Sequence, residues 1–541
     1  VLSSSGVCVG NRQLPLASGA TVDAKNEMVC GQNRRKMRVA WVSGLEGTWI
    51  PGVHANCPCN ERDALLCRTL GPVPWPDDRP VGPAFSNVAK SLRLLARRYC
   101  GNKWDLLTTA NSYTGALRRR YLEAERSLRE DGPLTHRDKQ LSAFLKAEKI
   151  GLTKFHKPRM IFPRSPRYNL AIASYLKPFE HWLWGRLHLG WLLQGRNHTW
   201  LDSRRTEHGV SRVVAKGLSP RQRANLIARK FRSFKDCVVF EADGKGFEAH
   251  VNTGQLLEEQ SVYLSAYKGA GGLARLLRCQ MSLSGTTQLG WKFTRPGGRA
   301  SGDFNTGMGN TIVMLCAATS GIPEDVPFDI LADGDNALIF LGSEDAGRVI
   351  PSFHQAVLDQ CGQELTLESP VRSLEDVRFG QSAPVFLGNR LGWTMVRDYR
   401  KVLSGFACSH RWLSEPKFAR RWLRDVCRCE LSLARGVPVL QEVFLKMLRH
   451  YGGLKTVHEG ALADYFAIGA WLADVDDAVP VSLEARLSFS RAFGLAPEDQ
   501  LLMERGFVGN HTDSDIVEFP RFDAALEAEP GLIESSWYPR Y

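Results

Sequence analysis

The stretch "LADGDNALIF", residues 331–340, is the strongest local constraint in the chain. A short apolar run enters an Asp-Gly pair and a second apolar run leaves it, which is the pattern of a tight β-hairpin. The turn places Asp333, Asp335 and Asn336 at the tip of an otherwise apolar element. A second acid closes a similar run: Cys237–Ala242 reads as a buried strand ending at Asp243. Taken singly, each acid reads as a turn or cap residue. Taken together, two carboxylates at a strand end and a hairpin tip can clamp divalent cations such as magnesium, which prefers oxygen ligands.

The segment between them adds a second signal. "RPGGRASGDFNTGMGNTIVMLCAAT" passes from a glycine loop into an apolar helix. On a helix, Asp303, Thr306 and Asn310 lie at i, i+3 and i+7 along one polar stripe, with Phe304, Met308, Ile312 and Val313 opposite. Ser301 and Asp303 read equally as helix caps. Capping does not account for Thr306 and Asn310, whose hydroxyl and amide suit a ribose 2′-hydroxyl.

The chain has 541 residues, enough for several subdomains. Its net charge of +13 suits an acidic polymer or an anionic surface. Thirteen cysteines, an odd number, argue for a reducing compartment over a full disulfide framework. His54, Cys57, Cys59 and Cys67 are compatible with zinc, but their spacing matches no standard finger, and ordinary thiols are the favoured reading. No apolar run reaches the length of a membrane span; "LAIASYLKPFEHWLWGRLHLGWLL" is read as a buried amphipathic helix region. No signal peptide is recognised, and the start at Val1 reads as a fragment, a processed product or the downstream part of a fusion. Residues 1–90 read as irregular, residues 254–282 as helical, and the acidic last thirty residues as loosely packed.

Six stretches in order, from about 110 to 404, resemble the motifs of viral RNA-dependent RNA polymerases of the tombusvirus type. They are "SYTGALRRRYLEA", "KAEKIGLTKFHKPRMIFPRSPRYN", "DGKGFEAHV", "GGRASGDFNTGMGN", "DGDN" and "SAPVFLGNRLGWTMVRDYRKVLS". The resemblance implies an α+β right-hand fold of fingers, palm and thumb, with an antiparallel palm sheet packed on helices. Residues 1–90 would be an N-terminal extension, 91–235 fingers and fingertips, 236–404 palm with a fingers insertion near 252–298, and 405–541 a helical thumb and tail.

The same resemblance assigns Asp243, Asp335 and Asn336, with the Gly244 carbonyl, to two Mg²⁺ or Mn²⁺ ions. Glu248, Ser301, Thr306 and Asn310 would surround the incoming ribose. Lys146 and Arg159 would meet the nucleoside triphosphate, with Glu148 holding Arg159. Tyr113 and Gly115 would lie along the template; Lys149, Arg164 and Arg167 would hold RNA phosphates; Arg397 would contact the product end.

Departures are specific. Asn336 stands where the family usually has a second Asp, a Gly-Asp-Asn pattern that also occurs in tombusvirus-like polymerases resembling those of fungal ambiguiviruses. It removes one negative charge and is expected to tilt metal preference towards manganese. Glu248 replaces the more usual Asp, and Lys245-Gly246 replaces a Ser-Arg pair. In "GQELTLE", Thr366 occupies the place of a lysine, and His354 and Arg348 are weak substitutes.

The expected activity is template-directed replication of a positive-strand RNA genome from NTPs, with other viral replication proteins as partners. The expected setting is host cytoplasm, at a membrane complex reached through a partner or an upstream segment. A reverse transcriptase and a non-catalytic RNA-binding subunit are the competing readings. An unrelated basic enzyme is the remote one.

Overall fold

The computed structural model describes residues 14–24, 35, 37–40, 51–75, 79–151, 156–194, 200, 211–268 and 270–507, with the backbone of short strands at 2–3, 6–7 and 516–518. The expectation for the last thirty residues falls outside that set.

A four-stranded antiparallel sheet stands at the centre: β1 (Cys237–Gly244), β2 (Phe328–Asp333), β3 (Asn336–Gly342) and β4 (Leu365–Leu367), in the order β2-β3-β1-β4. The apolar runs of β1 and β3 are buried along nearly their whole length, as strands covered on both faces must be. Asp243, Asp333 and Asn336 stand at the strand ends that meet at the hairpin, so one edge of the sheet is acidic, while Glu241 lies within β1 and Asp329, near the far end of β2, is sealed in a buried pair with Lys230.

Five helices frame it: α1 (Pro83–Ala96), α2 (Pro166–Arg186), α3 (Thr253–Ala266), α4 (Thr306–Ser320) and α5 (Ser343–Cys361). α4 is buried almost all round, from Met308 to Ser320, which marks a helix inside a core. Leu176, Val262, Ile312, Phe328 and Phe353 share one apolar cluster with the sheet. Burying each such side chain is worth about 1.5–3 kcal/mol, so the site rests on a rigid floor. A second cluster joins the strands Ser382–Phe386 and Trp393–Arg397 to the helices Pro416–Leu433 and Leu440–His450.

Sequence expectation and structure part at three places. α1 begins at Pro83, within the stretch read as irregular; Pro at the first helical position after Gly82 is the start signal. The same N-terminal stretch supplies Thr21–Ala24 as an edge strand paired antiparallel to Trp291–Pro296. The region read as helical to residue 282 holds two helices, α3 and Gly271–Arg278, and gives way to the strand Ser282–Thr287. That strand pairs with Trp291–Pro296 and, in parallel, with Leu141–Leu145, which continues to Met160–Ile161. The molecule is therefore mixed α and β with mainly antiparallel sheets. Among the described residues no helix is long and apolar enough to cross a membrane.

Candidate active site

The register of the central sheet brings the two distant acids together. Asp243 on β1 pairs directly with Asn336 on β3, and Asp333 pairs with Asn336 across the hairpin. Directly opposed Cα atoms in an antiparallel ladder stand about 4.5–5.5 Å apart. Asp335 precedes Asn336 in the two-residue turn, and its carbonyl accepts a hydrogen bond from the Gly244 N–H at 3.0 Å. The turn depends on Gly334, whose φ of +62° favours glycine. Ninety-two residues of chain thus close into one acidic edge.

The electrostatics of that edge are unfavourable without a counter-ion. Burial, then the carboxylates of Glu248 and Asp243, pushes Asp335 up to about 6. Burial and the Glu368 carboxylate also raise Asp243, while the Arg159 guanidinium pulls it down. On the same strand, burial lifts Glu241 to about 7. Crowded carboxylates that resist ionisation are what a bound divalent cation would relieve. No three His, Cys, Asp or Glu side chains among the described residues form a ready metal cage. The donor set nevertheless fits magnesium or manganese, which commonly take one or two carboxylates and complete their shell with water and substrate phosphates. His54 meets the His156 carbonyl at 2.8 Å, and the cysteines near it form no such cage either.

α4 is tied to the hairpin by a residue that the sequence did not single out. The Thr311 hydroxyl accepts from the Gly334 N–H at 2.9 Å and donates to the Gly307 carbonyl at 2.7 Å. Its neighbour Asn310 is buried, its Oδ1 accepting from Arg299 Nε at 2.9 Å. Arg299 in turn forms a buried ion pair with Glu259 of α3, and Tyr263 and Asn305 also donate to that carboxylate, at 2.7 and 3.2 Å. A Cβ at residue 309 would lie 2.2 Å from Glu259 Oε1, so glycine there lets the pair pass behind the helix. Neither Arg299 nor Glu259 has a local sequence signature, since their partners come from separate elements.

Thr306 opens α4, its hydroxyl donating to the Ala300 and Asp303 carbonyls. Asp303 differs from expectation. It lies in the turn before α4, not on the helix, and forms a buried ion pair with Arg164. No side chain caps the helix start, so the capping read for Ser301 and Asp303 is not made. Ser301 is half-buried and its carbonyl accepts from the Phe162 N–H at 3.1 Å.

The basic residues divide into two groups. Lys146 and Arg159 flank one strand pair, with the Lys146 N–H bonded to the Arg159 carbonyl at 2.8 Å. Glu148 bridges both side chains, at 3.0 Å to Lys146 and 3.7 Å to Arg159. Arg159 stays largely exposed and acts electrostatically on both Asp243 and Asp335. Arg68, which the sequence reading omitted, joins this group through Arg159 and Glu248.

Arg164, in contrast, is 3% exposed and donates to Asp303 and to the Lys139 and Cys279 carbonyls. Its guanidinium is part of the scaffold and does not face RNA. Arg167 likewise donates to Ser127 and to the Gly132 and Pro133 carbonyls, and pairs with Asp138 at 3.3 Å. Lys149 reaches the Gly405 carbonyl.

Tyr113 is half-buried under Lys177, whose ammonium lies 3.4 Å from the ring centroid; its hydroxyl has no partner among the described residues, and burial raises its pKa. Gly115, at φ +57°, starts the next helix. Arg397 pairs with buried Glu430 and lines a cavity of about 680 Å³ beside the hairpin, with Asp333 and Arg223 on another wall. Thr366 pairs with Asp243 across β1 and β4. His354 is held at the Leu365 backbone and Arg348 by Asp325 and Asp345, so both are engaged elsewhere.

Comparison with known proteins matches residues 29–514 to the family model described as viral RNA dependent RNA polymerase. The chain is 31% identical over 488 residues to an RNA-directed RNA polymerase of Maize chlorotic mottle virus, covering 87% of this chain and 48% of that one. It is 30% identical to the Turnip crinkle virus RNA-directed RNA polymerase and 32% identical to that of Melon necrotic spot virus, covering 86% and 87% of this chain and 59% of each relative. The chain thus spans about half to three-fifths of the length of the relatives it matches. A match over most of the chain, with the motif order intact, leads to one conclusion: this chain belongs to the viral RNA-dependent RNA polymerase family of tombusvirus type.

Proposed function

We propose that the chain carries out template-directed RNA synthesis, joining NTPs on an RNA template as the polymerase of a positive-strand RNA virus. The observation that most supports this is the pairing of Asp243 with Asn336 beside the turn that holds Asp335. The 3′-hydroxyl of the growing strand attacks the α-phosphate of the NTP and pyrophosphate leaves. Asp243, Asp335, Asn336 and the Gly244 carbonyl would hold Mg²⁺ or Mn²⁺, which lowers the pKa of the attacking hydroxyl and neutralises the leaving group. Lys146 and Arg159 meet the triphosphate. Glu248, Ser301, Thr306 and Asn310 line the ribose, and Arg299 fixes the direction in which the Asn310 amide presents its NH₂. Arg397 and the cavity beside the hairpin receive the product strand.

In this reading residues 91–235 are fingers, 236–404 palm and 405–541 thumb, and the protein works in host cytoplasm with other viral replication proteins. The ribose-facing set speaks against a reverse transcriptase. The decisive experiment is primed RNA synthesis by wild type, Asp335→Ala and Asn336→Asp, each in Mg²⁺ and Mn²⁺. Wild type is expected to be active and Asp335→Ala inactive, with the metal preference of Asn336→Asp shifted towards Mg²⁺. RNA binding without synthesis under every condition would favour the non-catalytic reading.

A further inference from the structure

A second cavity, of about 750 Å³, shares no lining residue with the one beside the hairpin. It lies where the end of α1 meets the end of α2, and its walls carry Arg98, Tyr99, Trp182, Arg186 and Trp191. Each arginine is stacked on a tryptophan: Arg98 lies 4.4 Å from the Trp191 centroid and Arg186 5.0 Å from that of Trp182. Tyr99 meets Trp182 edge-on at 5.3 Å and Tyr267 at 5.6 Å, and Tyr267 meets Tyr175 at 5.4 Å. Lys103 caps the far end of this row, 5.0 Å over Tyr175.

Two features point to a ligand. No carboxylate lines the cavity, and neither exposed guanidinium makes a side-chain hydrogen bond or ion pair among the described residues. Elsewhere the chain spends its arginines freely on internal carboxylates, as at Arg164, Arg299 and Arg397. Here the fork-shaped donors lie over indole rings and remain exposed. Guanidiniums alternating with aromatic faces can take phosphates and unstacked bases at once. An acidic peptide would answer only the charge.

We propose that this cavity is an accessory site for single-stranded RNA, separate from the catalytic edge, in which Arg98 and Arg186 hold phosphates and Trp191 stacks a base, with Trp182, itself stacked on Phe179, forming the adjoining wall. It gives the chain a hold on unpaired RNA outside the catalytic cleft.

The test uses the full chain and a fluorescent oligouridylate, with affinity followed by anisotropy across a salt series. A version carrying 5-iodouridine serves for photocrosslinking and peptide mapping. Wild type is expected to crosslink at Trp182 or Trp191. The Arg98→Ala/Arg186→Ala double variant is expected to lose that crosslink, and its slope of log affinity against log salt should fall in magnitude by about 1.4, the contribution of two single-strand phosphates. Trp191→Ala should weaken binding about tenfold and Trp191→Phe much less, since only the latter keeps a stacking face. Nucleotide addition on a short primed template should be unchanged in the arginine variant, which separates this site from the catalytic one. Absence of crosslinks at both tryptophans in wild type would overturn the proposal. An unchanged salt slope in the double variant would do the same, as would displacement by polyglutamate as effective as by unlabelled oligouridylate.

Discussion

Asp335 is where folding and chemistry make opposite demands, and the conflict has a size. Burial, then the Glu248 and Asp243 carboxylates, pushes its carboxyl up to about 6 from the ordinary aspartate value of 3.8. The folded state therefore holds that proton more tightly than the unfolded chain does. Below both values the carboxyl is protonated in either state and costs nothing. As pH rises between them the unfolded chain loses its proton first, so stability falls; above about 6 the whole cost is present, roughly 3 kcal/mol. Asp335→Asn keeps the shape and the backbone bond to Gly244 but cannot ionise. In chelator near neutral pH this variant should be more stable than wild type by up to about 3 kcal/mol, or about 2–3 °C in Tm for a chain of this length. The gap should shrink as pH drops from about 6 towards 3.8 and be gone near 3. Mg²⁺ or Mn²⁺ should stabilise wild type and not the variant, and the variant should make no RNA. Unfolding followed by tryptophan fluorescence over this pH range, with chelator or metal, reads all of these. Equal stability near neutral pH in chelator would refute the reasoning, as would a gap of undiminished size near pH 3, because neither is compatible with an ionisation cost.

Three further outcomes are expected. Arg299→Lys keeps the charge facing Glu259 but loses the Nε donor to Asn310, so the preference for rNTP over dNTP, as a ratio of kcat/KM, should fall about tenfold with little change in overall RNA binding. Thr311→Val leaves the Gly334 N–H without its acceptor at the base of the turn; it should cost about 1–3 kcal/mol in urea unfolding and lower kcat more than it raises KM. Arg164→Ala strands the buried Asp303 carboxylate and should cost about 3–5 kcal/mol, while Arg159→Ala should leave stability within about 1 kcal/mol of wild type and weaken NTP use, read as a higher KM.

The contrast between Arg164 and Arg159 shows where sequence reading succeeds and where it stops. The hairpin at 331–340, the buried strand ending at Asp243 and the apolar helix after the glycine loop were all legible, because strand, turn and helix periodicities are local properties. The meeting of Asp243 with the hairpin tip followed from motif order, which carries tertiary information that spacing does not. Basic side chains are different. Arg159 and Arg164 stand five residues apart in one Lys- and Arg-rich run, and charge counting treats them alike. One remains open beside the acidic edge; the other is sealed against an aspartate 139 residues further on. Burying an unpaired guanidinium is too costly to occur, so Arg164 is inside only because Asp303 is inside with it. Asp303 was drawn off the polar stripe of α4 by the same pairing, so one long-range ion pair accounts for two departures from expectation. The remaining polar stripe, Thr306 and Asn310, turns on a second such pair, Arg299 with Glu259. In this fold the residues that would touch substrate can be listed from their motifs, but the residues that aim them are set by buried charges whose partners lie on other elements.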